Sequence, residues 1–421
     1  YNKASLTNGD GYGVRWATTL NYQVQGLGED HNLSFLAGNE VLASKSNSNT
    51  MTGAGFPAEF SEDRAFAFFS MYNMVDEYLN QTQQASDFSS TIGEPKHTLS
   101  WFGRINYDYL GRYLFTATFR ADGSSNFAPN KHWGYFPAAA AAWRISDEPF
   151  MANAKNLKLR LSIGTSGNDN IDASLWKEYW EPSVVWTNGV RKVTFSPGAV
   201  LANPDLKWET TVSRNLGIDY GFWNGKLRGS IEFYWNTTKD ILMRVPVAES
   251  TGHSYQYQNV GETSNKGIEF SIFYEIIRSK DFNLSLNATY NYNKNNVEKV
   301  VEGVNADTNT NWGSSMKRPY NDYIIREGEP VGTIYGYKGA GFYTVDDFNV
   351  VNGVWTLKDG VPDMGSNVTN YSTGYLNAYP VPEGQTARPG MVKFEDTDGS
   401  GTITEEDCQI VGHTIDRKSV V

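Results

Sequence analysis

The stretch Asp281–Asn293, DFNLSLNATYNYN, sorts its side chains into two sets. Phe282, Leu284, Leu286, Ala288, Tyr290 and Tyr292 take every second position, and Asn283, Ser285, Asn287, Thr289, Asn291 and Asn293 fill the places between. Successive residues of a β-strand face opposite sides of a sheet, so this order sets an apolar surface back to back with a wet one. Outward along the chain the division recurs. In KLRGSIEFYWN, Leu227, Ile231, Phe233 and Trp235 oppose Arg228, Ser230, Glu232 and Asn236. It is repeated in LKLRLSIG, KGIEFSIFYEII, RYLFTATFR and LSWFGRINYDY, and in weaker form at Val14 to Val24, His31 to Val41, Gly134 to Arg144 and Leu206 to Tyr220. The pattern predicts an all-β fold of about ten strands.

Composition agrees with that reading. Aromatic residues make up 14 % of the 421 residues and Gly numbers 40, a mixture that favours strands and turns. The mean hydropathy of −0.49, with no apolar run of about 18 residues, excludes a transmembrane helix. It leaves open a membrane barrel, whose strands are apolar on one face only. A net charge of −11 argues against nucleic acid as a partner and against general attraction to anionic lipid. Cys408, the one cysteine, has no second thiol for a disulfide or a zinc site. Tyr1 opens on polar sequence without a signal-peptide pattern, which points to a removed leader or a fragment.

Connection lengths alternate. Short links lie at LGR near Gly111, FWNGK near Gly225, RSKD near Lys280, GLGED near Gly28 and the longer SDEPFMANAKN. Long ones cover 43–97, Asp122 to Trp133, 166–205, 237–265 and the residues after about Val297. One end of the sheet therefore carries tight turns and the other elaborate loops, as in outer-membrane barrels. A soluble antiparallel sheet with one solvated face gives the same alternation. Strands of about ten residues, long enough to cross a bilayer at a tilt, favour the transmembrane antiparallel β-barrel.

Several segments resemble the SusC-like (RagA/SusC type) family of TonB-dependent outer-membrane transporters. They are HNLSFLAGNEV, the run from GRINYDY to SDEPFM, LKLRLSIGTSGN, the run from NPDLKWE to TTKDIL, NVGETSNKGIEFSI, and EGEPVGTIYGYKGAGFY with VKFEDTDGSGTIT, in the family's order and over most of the chain. The resemblance implies a barrel of about 22 strands around a plug. It also implies residence in the cell outer membrane among its lipids, a SusD-like surface lipoprotein as a lid, and a TonB complex that supplies energy. Residues 1–421 then make a partial barrel domain, the plug and TonB-contacting segment lie outside it, and the end at Asp416 to Val421 falls in or just past a loop. Cargo follows only by default: oligosaccharide first, oligopeptide as the alternative within the same family.

Two local features carry chemistry. In DTDGSGTITEED, Asp396, Asp398, Ser400, Gly401, Thr402, Thr404 and Asp407 stand at positions 1, 3, 5, 6, 7, 9 and 12 of a calcium loop, with Ile403 as its apolar anchor. Ser at position 5 and the short Asp at position 12 depart from the usual pattern, and a plain Asp/Gly turn explains the same residues. The expected ion is a structural Ca2+ in a long extracellular loop, residues 396–407. The second feature is the aromatic set Trp176, Tyr179, Trp180 and Trp186, with Tyr255 and Tyr257 on the next long link. Such rings offer platforms for sugar faces or peptide side chains, or else anchor loops and form an interfacial girdle. Five scattered histidines and the lack of HExxH, GxSxG or P-loop spacing give no catalytic set, so no enzyme is expected. A secreted β-rich glycan-binding or glycan-degrading protein is the reading from a different class.

Overall fold

The computed structural model describes residues 2–56, 61–67, 86–151, 156–187, 190–300, 323–365 and 377–413; the segment Asp416 to Val421 lies outside the described residues. Ten long strands follow one another: β1 (Asn2–Gln23), β2 (His31–Phe56), β3 (Lys96–Tyr109), β4 (Tyr113–Ser124), β5 (Trp133–Arg144), β6 (Asn156–Asn168), β7 (Glu209–Phe222), β8 (Leu227–Lys239), β9 (Glu262–Arg278) and β10 (Asn283–Lys299). Each corresponds to a stretch of alternation in the sequence. Helix is confined, among the described residues, to Glu62–Ala67 and a few single 3-10 turns.

The chain divides into two compact units. The first comprises Tyr1–Glu148, Leu161–Thr210 and Arg244–Asn259. Within it β1 to β5 pair in sequence order, every pair antiparallel. The second comprises Pro149–Arg160, Thr211–Met243 and Val260–Val421, and there β7, β8, β9 and β10 are again neighbours in order. Its register aligns the apolar positions across strands: Ile231 faces Phe270, which faces Tyr290, and Phe233 faces Ile268, which faces Tyr292. A one-residue slip would reverse both faces, so this alignment is what fixes the pairing.

The turns explain the short ends. Between β3 and β4 the three-residue link Leu110–Arg112 makes a tight turn closed by Arg112 N donating to Tyr109 O at 3.0 Å, with Leu110 and Gly111 left-handed at φ of 57° and 65°. Gly tolerates it freely, and Leu110 is held there by the hairpin.

The long connections are richer than the alternation predicts. The expected link 43–97 begins with the upper half of β2, which runs to Phe56 against an equally extended β1, and includes a strand at Ser86–Ile92 that pairs with β2. Alternation fails there because these parts are polar on both faces, for example NKASLTNGDG and SKSNSNT. Backbone bonds and hydroxyl pairs, Ser5 with Thr52 at 3.2 Å and Thr7 with Thr50 at 2.9 Å, hold the ribbon instead. Link 166–205 contains the hairpin Trp180–Thr187/Val190–Pro197, and link 237–265 shrinks because β8 extends to Lys239 and β9 starts at Glu262.

After β10, short strands build a knot with its own core. Gly339–Phe342 pairs with Val392–Phe394, and Phe348–Val351 with Val354–Leu357. Tyr343, Phe348, Met364, Ala387 and Met391 are buried together between them.

Candidate functional site

The two faces of the long strands form the working surface. On the polar face of β2 to β4, Arg120 donates from Nε to Asp122 Oδ1 at 2.7 Å and from Nη2 to Ser100 Oγ at 2.9 Å, and lies 3.4 Å from Glu40 Oε2. Arg15 on β1 pairs with the same Glu40. In the second unit Arg160 holds Asp219 with both prongs of its guanidinium, at 2.9 and 2.8 Å, and reaches Glu232 Oε1 at 2.7 Å. Gly217 makes room for this, since a Cβ there would stand 3.0 Å from Arg160 Cζ. Charges in such numbers cannot sit in hydrocarbon, so within each unit the face that carries them is the wet one and the opposite face meets lipid.

The lipid face is bounded by aromatic rows. At the short-turn end His31, Tyr109, Tyr113 and Trp143 are cross-strand partners, and their rings stack in series at 4.8, 6.1 and 6.3 Å. Glu148 secures the row by accepting from Tyr113 Oη at 2.6 Å and Trp143 Nε1 at 3.0 Å. At the other end stand Trp16, Trp101, Trp133 and Tyr135, all exposed. The row through Tyr113 and the row through Gly123, on which Trp133 lies, are separated by about 33 Å of strand at ~3.3 Å per residue. Tilted by ~40°, that becomes about 25 Å, the height of an outer-membrane apolar band between its girdles.

The aromatic residues singled out from the sequence fall on the long connections. Ser174 Oγ and Tyr179 Oη both donate to Glu94, the latter at 2.6 Å, with Lys177 Nζ 3.6 Å away. These donors, Ser174 first and then Tyr179, hold the Glu94 carboxyl below its ordinary range; burial and the facing carboxylate push the Tyr179 phenol up. Lys177 also lies over the Trp176 ring at 4.9 Å. Trp180 opens the hairpin and is 56 % exposed. Trp186 pairs with Arg191 in that hairpin, and its side chain lies outside the described residues. Tyr255 and Tyr257 meet edge-on at 5.9 Å, and the Arg244 guanidinium stacks 3.7 Å from the Tyr255 ring centre. Asn203 ties the two groups together, donating from its amide N to Leu175 O and from Nδ2 to Tyr257 O.

Sequence reading missed Glu94, the hub of this arrangement, because one acidic residue in an acidic chain gives no signal. It also missed a ring cluster at the loop end of the polar face, where Phe127 and Phe136 pack on Trp208 at 5.5 and 5.4 Å. Gly134 and Gly167 were its trace: a Cβ at either would meet the Phe136 ring at 2.5 or 2.1 Å.

In the 396–407 loop the carboxylates of Asp396, Asp398 and Asp407 converge, with oxygens within 4.8 Å of one another. Asp396 accepts from the amides of Gly399, Ser400 and Gly401, and Asp398 from Ser400, whose amide draws the Asp398 pKa down. Asp407, fully buried, accepts from the amides of Thr397 and Thr404. Ser400 Oγ donates to the Thr402 carbonyl and Thr404 Oγ1 caps the turn at Glu406, so these three positions serve the loop's own geometry. Ile403 is 2 % exposed, and its amide bonds Asp363 O at 2.8 Å.

Comparison with known proteins follows the same lines. Residues 1–395 match the family described as TonB dependent receptor-like, beta-barrel. TonB-dependent receptor P3 of Formosa agariphila is 31 % identical over 388 residues, covering 91 % of this chain and 34 % of its own length. TonB-dependent receptor SusC of Bacteroides thetaiotaomicron is 34 % identical over 291 residues, 66 % of this chain and 28 % of its own. The chain thus spans about a third of the length of the curated relatives it matches. Among solved structures, that of the RagAB peptide transporter superposes with a TM-score of 0.62 at 24 % identity, over 80 % of this chain and 35 % of that one, a likeness of fold.

Proposed function

The chain belongs to the TonB dependent receptor-like β-barrel family in its SusC-like branch and resides in the outer membrane; from that premise we propose that it forms part of the wall of a nutrient importer. The observation that carries this reading is the segregation of faces within each unit: a charged network takes one face, at Arg120 in the first unit and at Arg160 in the second, and in the first unit an apolar band between two aromatic rows takes the other. A wall built this way encloses a wet passage and seats it in lipid.

In a whole protein proportioned like its relatives, a plug would fill the lumen and a TonB complex would act on it from within. A SusD-like lipoprotein would cover the outer mouth. The cargo we assign is an oligosaccharide, supported by the exposed Trp180 ring and the neighbouring Tyr179 on a long connection, where flat apolar faces suit sugar rings. We assign a structural Ca2+ to the 396–407 loop, supported by the convergence of Asp396, Asp398 and Asp407.

Uptake by cells carrying the full-length protein tests this. Labelled oligosaccharides should enter in a TonB-dependent manner, with Trp180→Ala weakening uptake roughly threefold to tenfold. Entry of oligopeptides alone would replace the cargo and keep the importer; a native protein soluble without detergent would end the importer reading itself. Calcium should protect residues 396–407 from proteolysis, and Asp396→Asn should abolish that protection.

A further inference from the structure

On the lipid face of β1 to β4 the apolar surface is not smooth. Leu20, Trp101 and Phe119 stand as ridges around a floor of small residues, Ala37, Gly103 and Ala121, and enclose a groove of about 350 Å³. Register places these residues on one face: Leu20 opposite Ala37, Ala37 opposite Gly103, Gly103 opposite Phe119, and Trp101 opposite Ala121. The charged Glu40 and Asp122 and the polar Ser100 occupy the alternate positions and the other face. Outer-membrane residence therefore decides what covers the groove: it is lipid.

The level of the groove narrows the choice. Phe119 and Ala121 lie nearer Gly123 than Tyr113, so the groove belongs to the half of the band next to the long connections, the outer leaflet. Thr18 and Asn39 form its upper rim, paired across β1 and β2 at the row of Trp101. Farther up the same face stand the first basic side chains, His97 opposite Ala43 and Lys45 opposite Tyr12. From Asn39 to Lys45 is about 20 Å of strand, or about 15 Å of height at the tilt of a barrel. Small floor, polar rim and basic cap thus succeed one another in the order of acyl chain, ester or amide linkage and phosphate in a lipid.

We propose that this groove is a binding site for one acyl chain of an outer-leaflet lipid A glycolipid, with Thr18 and Asn39 at the chain's linkage and Lys45 and His97 at the phosphate. The inference rests on the lipid-facing assignment alone and is independent of cargo. An acyl chain bound in a fixed groove fills space that mobile lipid packs poorly, and each methylene held there adds to retention.

Native mass spectrometry on the full-length protein, extracted from outer membranes in mild detergent, reads the occupant. The wild type should retain a lipid A glycolipid, and delipidated protein should regain it from phosphatidylethanolamine vesicles containing lipid A. Gly103→Leu has backbone room, the nearest atom to its Cβ being Leu36 O at 3.7 Å, and fills the floor. It should lower retention by about tenfold or more while the heat-resistant folded band on gels persists; Ala121→Leu is the second filling variant if the first does not fold. Lys45→Glu should lower retention of lipid A and leave that of phosphatidylethanolamine unchanged. Retention of phosphatidylethanolamine alone, equal retention in wild type and filled variants, or conversion of a dimer to monomer by Gly103→Leu would overturn the proposal. None of those three results touches the importer reading, which fails separately if the protein needs no detergent.

Discussion

The strand pair β9–β10 and the knot at 339–394 are both rich in large apolar residues, yet they treat them in opposite ways. In β10, Phe282 at the turn, Leu284, Leu286, Tyr290 and Tyr292 are each between 42 % and 57 % exposed, whereas Tyr343, Met364 and Met391 in the knot are at most 1 % exposed. The knot hides these side chains, with Phe348 and Ala387, by packing them on one another, while Phe342, Val345, Val350 and Val351 on its outside stay exposed. The strands leave theirs to the surroundings, which makes sense only where those surroundings are hydrocarbon. The strands are written for lipid on one face and water on the other, whereas the core of the knot is closed to both.

The sharpest test truncates the knot. Tyr343 is buried and its hydroxyl donates to Pro362 O at 2.6 Å, so Tyr343→Ala should cost about 3–5 kcal/mol of local stability. Hydrogen exchange over 339–394 should accelerate while β9 and β10 stay protected; simultaneous loss of both would show that the regions are not separable. Next in size is a charge placed on the lipid face. Ile105→Arg, near the middle of the band, should destabilise the protein by about 2–4 kcal/mol in reversible unfolding from lipid vesicles. If Ile105→Arg proves neutral, this face does not meet hydrocarbon and the contrast collapses.

A smaller effect is expected on the wet face. Arg160→Ala leaves Asp219 and Glu232 without their shared cation, at a cost of about 1–2 kcal/mol because water in the lumen screens what remains. Restoring charge with Lys should recover only part, since a single ammonium cannot reproduce the two-pronged bond. The smallest effect is one of pH on the loops. The folded-state pKa of Glu94 is depressed, so its contribution is present above the unfolded value and is lost as pH falls through the lower folded one. With the carboxylate 43 % exposed, that contribution is under about 1 kcal/mol. Proteolysis within 171–180 should therefore quicken only in acid, as pH falls below the ordinary carboxylate range, and Glu94→Gln should flatten the profile.

Ten strands and the alternation of short and long links were legible in the sequence because a period of two is a local signal and lipid on one face enforces it. Where that constraint ends, so does legibility. The polar extensions of β1 and β2 pair through backbone bonds that any side chain permits. The hairpin at 180–197 was hidden in a stretch read as a loop, although its register collects Trp180, Phe195 and Val193 on one face. Of the calcium-type loop, spacing foresaw the meeting of Asp396, Asp398 and Asp407, since all lie within twelve residues. What spacing did not show is that the loop docks on Asp363, whose carbonyl accepts from Ile403 N and whose amide donates to Gly401 O.

The amino-acid order alone thus determined which side of each strand is greasy and which ends are tight. Those properties arise between residues two to four positions apart and need no knowledge of what lies across the sheet. Only tertiary structure decided that Glu94 gathers Ser174 and Tyr179, that Arg160 clamps carboxylates from two other strands, and that small residues on three strands line up into one groove. Each of these joins residues dozens of positions apart, and their meeting depends on register, which the pairing of whole strands settles at once.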